Sequence, residues 1–152
     1  MLTNCDLNNY GKYTIFDGMV PKRTLPPESG GATTGREHLT QALSRPVLWI
    51  GSSKDDISAL PGPVKASFGH RLWQVQNGET PLDMKPLRQF GTGVFELRER
   101  FDKNAYRLVY AVKLAEAIYV LHAFVKKSKY GIGLPKPDAE IIETRLKRAQ
   151  SL

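Results

Sequence analysis

An arginine inside one apolar segment and a group of lysines at the end of the next are the residues best suited to chemistry. Arg107 interrupts the run Tyr-Arg-Leu-Val-Tyr, and Lys126, Lys127 and Lys129 follow the run Ile-Tyr-Val-Leu-His-Ala-Phe-Val. A planar guanidinium can hold two phosphate oxygens at once, and nearby ammonium groups add positive potential. The pattern therefore predicts a phosphate-binding site, provided that the two segments lie side by side.

Both segments are predicted to be strands, because aromatic and β-branched residues dominate them. Side chains alternate along a strand, so Arg107 points away from the apolar face formed by Tyr106, Leu108, Tyr110 and Val112. We therefore expect Arg107→Ala to leave the fold intact. In the second strand, alternation predicts one face with Ile118, Val120, His122, Phe124 and Lys126, and another with Tyr119, Leu121 and Val125. The competing interpretation is an amphipathic helix over Ala111–Lys127, which is rich in helix formers.

Further elements are predicted before these strands. Pro46–Gly51 is a short apolar run typical of a strand, and Ser53 is a candidate cap for a first helix. A second helix begins near Pro63 and ends at Asn77-Gly78, with an apolar stripe of Val64, Phe68, Leu72 and Val75. Trp49 and Trp73 are expected in the core, and the alternative is an exposed tryptophan that stacks on a nucleic-acid base. Glu79–Phe90 is predicted to be a loop.

The remaining elements surround the predicted site. Val94–Arg100 alternates as a strand, with Phe95, Leu97 and Phe101 on one side and Glu96, Arg98 and Arg100 on the other. A turn over Asp102–Ala105 joins it to the arginine-bearing strand as an antiparallel hairpin. Asp138 opens a last helix, whose apolar stripe is Ile141, Ile142, Leu146 and Ala149. This order predicts an α+β domain with an antiparallel sheet, two preceding helices and a C-terminal helix.

Composition and charge limit the function. The 152 residues suit one domain: residues 1–44 are expected to form a poorly structured extension rich in Pro, Gly, Ser and Thr, and residues 45–152 the folded domain. The net charge is +7, and Pro46–Leu152 holds seventeen basic and eleven acidic residues, an excess of six. Nucleic acid is the leading partner, because neutralising phosphates supplies most non-specific affinity, and an acidic protein is the alternative.

The sequence contains few metal ligands and no recognisable targeting segment. Cys5 is the single cysteine, and the three histidines lack metal-ligand spacing, so we expect no metal and no cofactor. No apolar run is long enough to cross a bilayer, and the first residues lack the layout of a signal peptide. A cytoplasmic protein without a membrane partner is therefore expected.

Ordinary structural roles compete with the functional interpretation. Arg107 can be a solvated strand residue, or can pair with Glu96 or Glu99 across the hairpin. Lysines commonly protect the edges of sheets, and Lys126, Lys127 and Lys129 can serve that purpose alone. For His122, packing within the strand is favoured over catalysis.

A resemblance to a known family rests on several motifs in a particular order. These are Lys85-Pro-Leu, Gly93-Val-Phe-Glu, Tyr106-Arg-Leu-Val-Tyr110, and Tyr119-Val-Leu-His-Ala-Phe124 followed by Lys126-Lys-Ser128. Over Pro46 to about Gln150, the chain resembles the HigB-type branch of the RelE/ParE toxin superfamily, often described as phage-derived. The resemblance implies a RelE-like fold and an endoribonuclease that cleaves mRNA, usually on the ribosome. It also implies silencing by a cognate antitoxin, often a helix-turn-helix protein.

The resemblance assigns residues to the site. Arg107 matches the strand arginine that acts on the scissile phosphate, and Lys126, Lys127 and Lys85 match the basic residues around it. Contacts with RNA are implied for Arg88, Lys129, Tyr130 and His122. Attack by a ribose 2′-hydroxyl builds negative charge on the phosphate oxygens, which these cations would stabilise. The general base is not identified, and Lys126, Lys127 and Lys129 are its candidates.

Two other functions fit the same residues. A ParE-like toxin would inhibit DNA gyrase without nuclease chemistry, and an inactive remnant would only bind an antitoxin. The gyrase interpretation predicts that alanines at the basic residues leave toxicity unchanged.

Overall fold

The order of secondary-structure elements agrees with an α+β domain. The computed structural model describes residues 44–113, 117–127 and 133–152, so the predicted extension over residues 1–44 lies, apart from Ser44, outside the described residues. The strands are β1 (Val47–Trp49), β2 (Lys85–Pro86), β3 (Val94–Phe101), β4 (Asn104–Lys113) and β5 (Ala117–Lys126). The helices are α1 (Ser53–Ser58), α2 (Gly62–Gln76) and α3 (Lys136–Gln150), with a 3₁₀ turn at Arg88–Phe90. The loop predicted over Glu79–Phe90 thus contains the short strand β2 and the 3₁₀ turn.

The strands of the described residues form one mixed sheet in the order β1-β5-β4-β3-β2. β2, β3, β4 and β5 pair antiparallel with their neighbours, whereas β1 runs parallel to β5 with Val47 opposite Ile118. The predicted antiparallel pairing is confirmed for β2 to β5, and β1 adds one parallel strand at the edge of the sheet. Parallel strands need a long crossover, and the whole chain between β1 and β5 supplies it.

One face of the sheet is covered by α1 and α2. The predicted stripe of α2 is confirmed, since Val64, Phe68, Leu72 and Val75 are all buried in the cluster that also holds Leu97, Leu108 and Tyr110. Pro63 stands in the first turn of this helix, where its missing N–H costs nothing. The prediction that Trp73 is a core residue is wrong: it is 40% exposed on α2, stacked on His70 with ring centroids 6.0 Å apart.

On the other face, α3 covers only part of the sheet. Ile142, Leu146 and Ala149 are buried there in one cluster with Val109 and Leu121, which confirms most of the predicted stripe. Ile141 departs from it, because consecutive helical residues are about 100° apart and Ile142 already faces the sheet. Ile141 is 36% exposed.

A tight hairpin joins β3 and β4. Phe101 is opposite Asn104, so the turn consists of Asp102 and Lys103, one residue pair shorter than predicted. Both turn residues have positive φ, 46° for Asp102 and 63° for Lys103, which suits the twist of a two-residue hairpin. The alternative of a helix over Ala111–Lys127 is excluded, because β4 continues to Lys113 and β5 spans Ala117–Lys126.

A β-bulge interrupts the alternation of β5. Val109 is opposite His122 and Tyr110 is opposite Val120, which leaves Leu121 as the extra residue. Two residues of β5 therefore stand opposite one residue of β4. After the bulge, the side chains of β5 alternate in the opposite phase, so each points to the other face of the sheet from the one that regular alternation predicts. The predicted faces of β5 are confirmed before the bulge, where Ile118 and Val120 belong to the cluster under α2 and Tyr119 and Leu121 to the cluster under α3. They are wrong after it, because Phe124 belongs with Tyr119 and Leu121, and Val125 with Ile118 and Val120.

Tyr110 is the largest fully buried side chain that the structure describes. Its hydroxyl has no hydrogen-bond partner among the described residues. Burial raises the pKa of Tyr110 well above its usual value, and the negative charge of Asp83 raises it further. The phenol is therefore neutral under physiological conditions, and the side chain acts as a large apolar core residue.

Candidate functional site

An open groove lies on the part of the sheet that α3 leaves uncovered. Its volume is about 380 Å³. The described residues that line it are Arg100, Lys103, Asn104, Ala105, Arg107, Lys126 and Lys127. Among these lining residues, Arg and Lys supply every charged side chain, and none is acidic. We call this feature the basic groove.

Strand register assembles the basic groove. Arg100 on β3 is opposite Ala105 on β4, and Ala105 is opposite Lys126 on β5. The row across the three strands therefore has a cation at each side and a methyl group in the centre. Because alanine is short, the centre of the row is low, and the flanking cations form raised walls. This arrangement can accept an extended anionic chain.

The hairpin turn brings Lys103 to the end of the groove. Its positive φ of 63° is uncommon for a residue with a side chain. Asn104 donates from Nδ2 to the carbonyl oxygen of Asp102 at 3.1 Å, which adds a bond to this turn. Sequence reasoning did not include Arg100 and Lys103 in the site. The signal was present, because a two-residue turn places Arg100 opposite Ala105, two residue pairs from Arg107 and on the same face of the hairpin.

Arg107 lines the groove from the central strand β4 and is bonded to a buried carboxylate. Its side chain is 11% exposed, and its Nη1 donates to Oε1 of Glu96, which is 0% exposed. The same carboxylate accepts from Nε of Arg98 at 2.6 Å. Of the two ordinary roles considered for Arg107, the solvated one is wrong and pairing with Glu96 is confirmed. Glu99, the other candidate, bonds to Arg71 at 2.9 Å instead.

Lys85 and Arg88 lie outside the basic groove. Lys85 is exposed on β2 opposite Glu96, so it lies on the same face of the sheet as Arg107 but at the far edge. Arg88 is exposed in the 3₁₀ turn. Lys129 and Tyr130 lie outside the described residues. The structure thus brings together Arg107, Lys126 and Lys127 of the predicted site, and the roles of the other residues stay predictions.

His122 belongs to a separate ionic cluster. Its Nδ1 is 2.8 Å from Oδ2 of Asp56 on α1, and its Nε2 is 3.0 Å from Oδ1 of Asp138 on α3. Arg145 donates from Nη1 to Asp56 at 2.6 Å and to the carbonyl oxygen of Leu121 at 2.7 Å. Both ring nitrogens are therefore engaged within the protein, which agrees with a packed histidine. A contact between His122 and RNA stays a prediction, and this geometry gives it no support.

The same cluster explains the start of α1. Ser53 was predicted to cap this helix, but it is the first helical residue and its buried hydroxyl has no partner among the described residues. Ser52 occupies the cap position without capping, because its Oγ accepts from Nη2 of Arg145 at 2.8 Å. The ionic cluster thus contacts the residue that precedes α1.

Within the described segments, no group of three or more His, Cys, Asp or Glu side chains is arranged to hold a metal ion. No helix of these segments is long and apolar enough to cross a membrane.

The fold and the groove define a small α+β domain with an open groove whose charged lining residues are Arg and Lys. The family model for phage-derived protein Gp49-like (DUF891) matches residues 55–147, more than half of the chain. The chain belongs to this family, which is part of the RelE-like group of type II toxins. No curated protein matches the chain. No solved structure matches it either.

Proposed function

We propose that this protein is the toxin of a type II toxin–antitoxin system, of the HigB type and with a RelE-like fold, and that it cleaves mRNA at the basic groove. One observation carries the proposal. Arg107, Arg100, Lys103, Lys126 and Lys127 converge on one open groove whose described lining includes no acidic side chain. A groove of this kind suits the phosphate backbone of a single RNA strand.

The geometry at Arg107 supports transition-state stabilisation as well as binding. A guanidinium has five N–H donors, and Nη1 of Arg107 is bonded to Glu96. Other donors of the same group remain for a phosphate in the groove. Because the side chain is mostly buried, its charge acts at a lower dielectric than that of an exposed lysine. Loss of one such preorganised donor typically lowers the rate by about 10²–10³-fold.

The proposed reaction is transesterification within the RNA. The 2′-oxygen of one nucleotide forms a bond with the adjacent phosphorus, and the bond from phosphorus to the 5′-oxygen of the next nucleotide breaks. The 2′-hydroxyl proton passes to a base, and the leaving 5′-oxygen takes up a proton. The products are a 2′,3′-cyclic phosphate and a 5′-hydroxyl end. Lys126 and Lys127, at the end of β5, are the candidate groups for these proton transfers.

The same groove is the proposed contact for an antitoxin. The excess of six positive charges over Pro46–Leu152 favours an acidic segment, which would cover the cations and exclude RNA. We propose a cognate antitoxin, of the helix-turn-helix type, as this partner in the cytoplasm, where mRNA and ribosomes are found. Its affinity for the toxin should weaken as salt rises, because added ions screen exposed charges.

Induced expression with selective capture of RNA 5′-hydroxyl ends tests the proposal. The wild type should arrest growth and produce new 5′-hydroxyl ends, and purified protein with and without ribosomes shows whether the ribosome is required. Lys127→Gln should reduce cleavage, whereas Lys147→Gln changes the charge equally on the outer face of α3, where Lys147 pairs with Glu143 at 3.0 Å. Growth arrest without new RNA ends would contradict the nuclease and favour gyrase inhibition. A wild type without either effect would leave only antitoxin binding.

A further inference from the structure

Glu96 is an acidic residue placed where the sheet carries mainly cations. It lies on β3, is 0% exposed, and bonds to Arg107 and Arg98. Its carboxylate does not line the basic groove, whereas Arg107 does. The carboxylate therefore contacts Arg107 from the buried side of the guanidinium, opposite the side that a ligand would approach.

Such an arrangement is hard to explain by stability alone. Removing a carboxylate from water is costly, and well-packed apolar side chains often stabilise a core as well as a buried ion pair does. Val94, the neighbour of Glu96 on the same face of β3, is buried in an apolar cluster, which shows that apolar side chains are accommodated on this face of the strand. Fixed orientation of a catalytic arginine is a function that an apolar residue cannot supply.

We infer that Glu96 is a positioning residue, which holds Arg107 so that its remaining N–H groups face the scissile phosphate. This inference rests on the proposed nuclease function. Glu96 does not act as the general base in this scheme, because its carboxylate is fully buried and bonded to two arginines. Its effect on the reaction passes through Arg107 alone.

The inference predicts opposite effects on binding and on cleavage. Glu96→Gln removes a negative charge from beside the groove, so RNA should bind as tightly as before or more tightly. The same change removes the charge-assisted bond that orients Arg107, so cleavage at saturating RNA should slow by about tenfold or more, since small errors in geometry are costly in catalysis. A residue that only supported the fold would not separate the two quantities.

Glu99→Gln is the matched control. Glu99 lies on the opposite face of the same strand, accepts from Arg71 at 2.9 Å, and its replacement changes the net charge equally. RNA affinity by fluorescence anisotropy and single-turnover cleavage at saturating RNA are measured for the wild type and both variants. We expect slowed cleavage without weakened binding in Glu96→Gln, and wild-type cleavage in Glu99→Gln.

Every other outcome overturns the inference. A folded Glu96→Gln variant that cleaves at the wild-type rate excludes positioning, and so does a parallel loss of binding and cleavage. An equal slowing in Glu99→Gln points to a general charge effect. If Glu96→Gln does not unfold cooperatively, Glu96→Asp decides: it keeps the charge but shortens the reach, so unchanged cleavage excludes positioning. A wild type that cleaves no RNA, free or on ribosomes, removes the proposed function itself and this inference with it.

Discussion

Replacing Arg107 by alanine tests the chemistry of the groove most directly, and Arg98→Ala is its structural counterpart. The two arginines are opposite each other in the register of β3 and β4, and both bond to Glu96. Each substitution therefore leaves the buried carboxylate with a single arginine. Arg107 lines the basic groove, and Arg98 is absent from its described lining. The pair separates the loss of an ion pair from the loss of a catalytic group.

The expected cost in stability follows from burial. Arg107 is 11% exposed and Arg98 is 39% exposed, so Arg107→Ala should be the more destabilising of the two. Leaving a buried acceptor with fewer partners costs about 1–3 kcal/mol. The sequence-based expectation considered only apolar packing, from which Arg107 points away, and so attributed little of the stability to this residue. The bond between Arg107 and Glu96 raises the expected loss of stability. With a typical free energy of unfolding of about 5–15 kcal/mol, both variants should remain folded.

The expected cost in rate is larger and specific to Arg107. Loss of a donor that acts on the developing charge should lower the cleavage rate by about a hundredfold or more, equivalent to roughly 2.7 kcal/mol. Arg107→Lys should restore only part of this rate, because an ammonium cannot contact Glu96 and phosphate with the same planar geometry. Urea denaturation measures the stability of each variant, and single-turnover cleavage at a temperature where all are folded measures the rate. A folded Arg107→Ala variant with full cleavage, or equal losses in Arg98→Ala, would refute the assignment of Arg107.

Four further substitutions test the fold around the groove. Tyr110→Phe removes a buried hydroxyl without a partner among the described residues, so thermal denaturation should show unchanged or slightly greater stability. Because burial raises the pKa of Tyr110, the wild type should be fully stabilised below about pH 10 and lose stability above it, and Tyr110→Phe should lose less. Gly91 has a φ of +97° and open space around it among the described residues, so Gly91→Ala should lower the free energy of unfolding by about 1–2 kcal/mol. In Gly93→Ala the new Cβ would also lie 2.9 Å from the carbonyl oxygen of Val112, so this variant should lose roughly 1–3 kcal/mol more. Lys103→Gly should stabilise the turn by up to about 1 kcal/mol, because glycine adopts the positive φ of this position without strain. The same change removes a cation, so RNA should bind less tightly and its affinity should depend less on salt. An unchanged salt dependence would exclude RNA from this end of the groove.

Local patterns in the sequence were sufficient for most elements. The stripe of α2 and the alternation of β3 depend on residues close together in the chain, and both were predicted correctly. The grouping of Arg107 with Lys126 and Lys127 was also predicted, because antiparallel neighbours bring strand ends together. The period of the apolar residues identifies the buried face of a helix or strand, whatever element packs against that face.

Features that depend on distant residues were not predictable. The bulge at Leu121 leaves a carbonyl oxygen outside the regular register, and Arg145, 24 residues later, donates to it at 2.7 Å. Nothing in the alternation of β5 indicates that partner, so the predicted faces failed beyond this point. The burial of Glu96 has a similar origin. An acidic residue in an alternating strand usually faces solvent, and only the two arginines that bond to it make its burial tolerable.

The ionic cluster around His122 lies next to the basic groove along β5. Asp138, in the first turn of α3, bonds to His122, so the helix begins over that part of β5. Phe124 follows, buried and stacked on His122 with ring centroids 5.0 Å apart. Next on the same face is Lys126, where the basic groove begins. The contact between His122 and Asp138 thus accompanies a helix that starts over the part of β5 before Lys126, and no residue of α3 is among the described residues that line the basic groove.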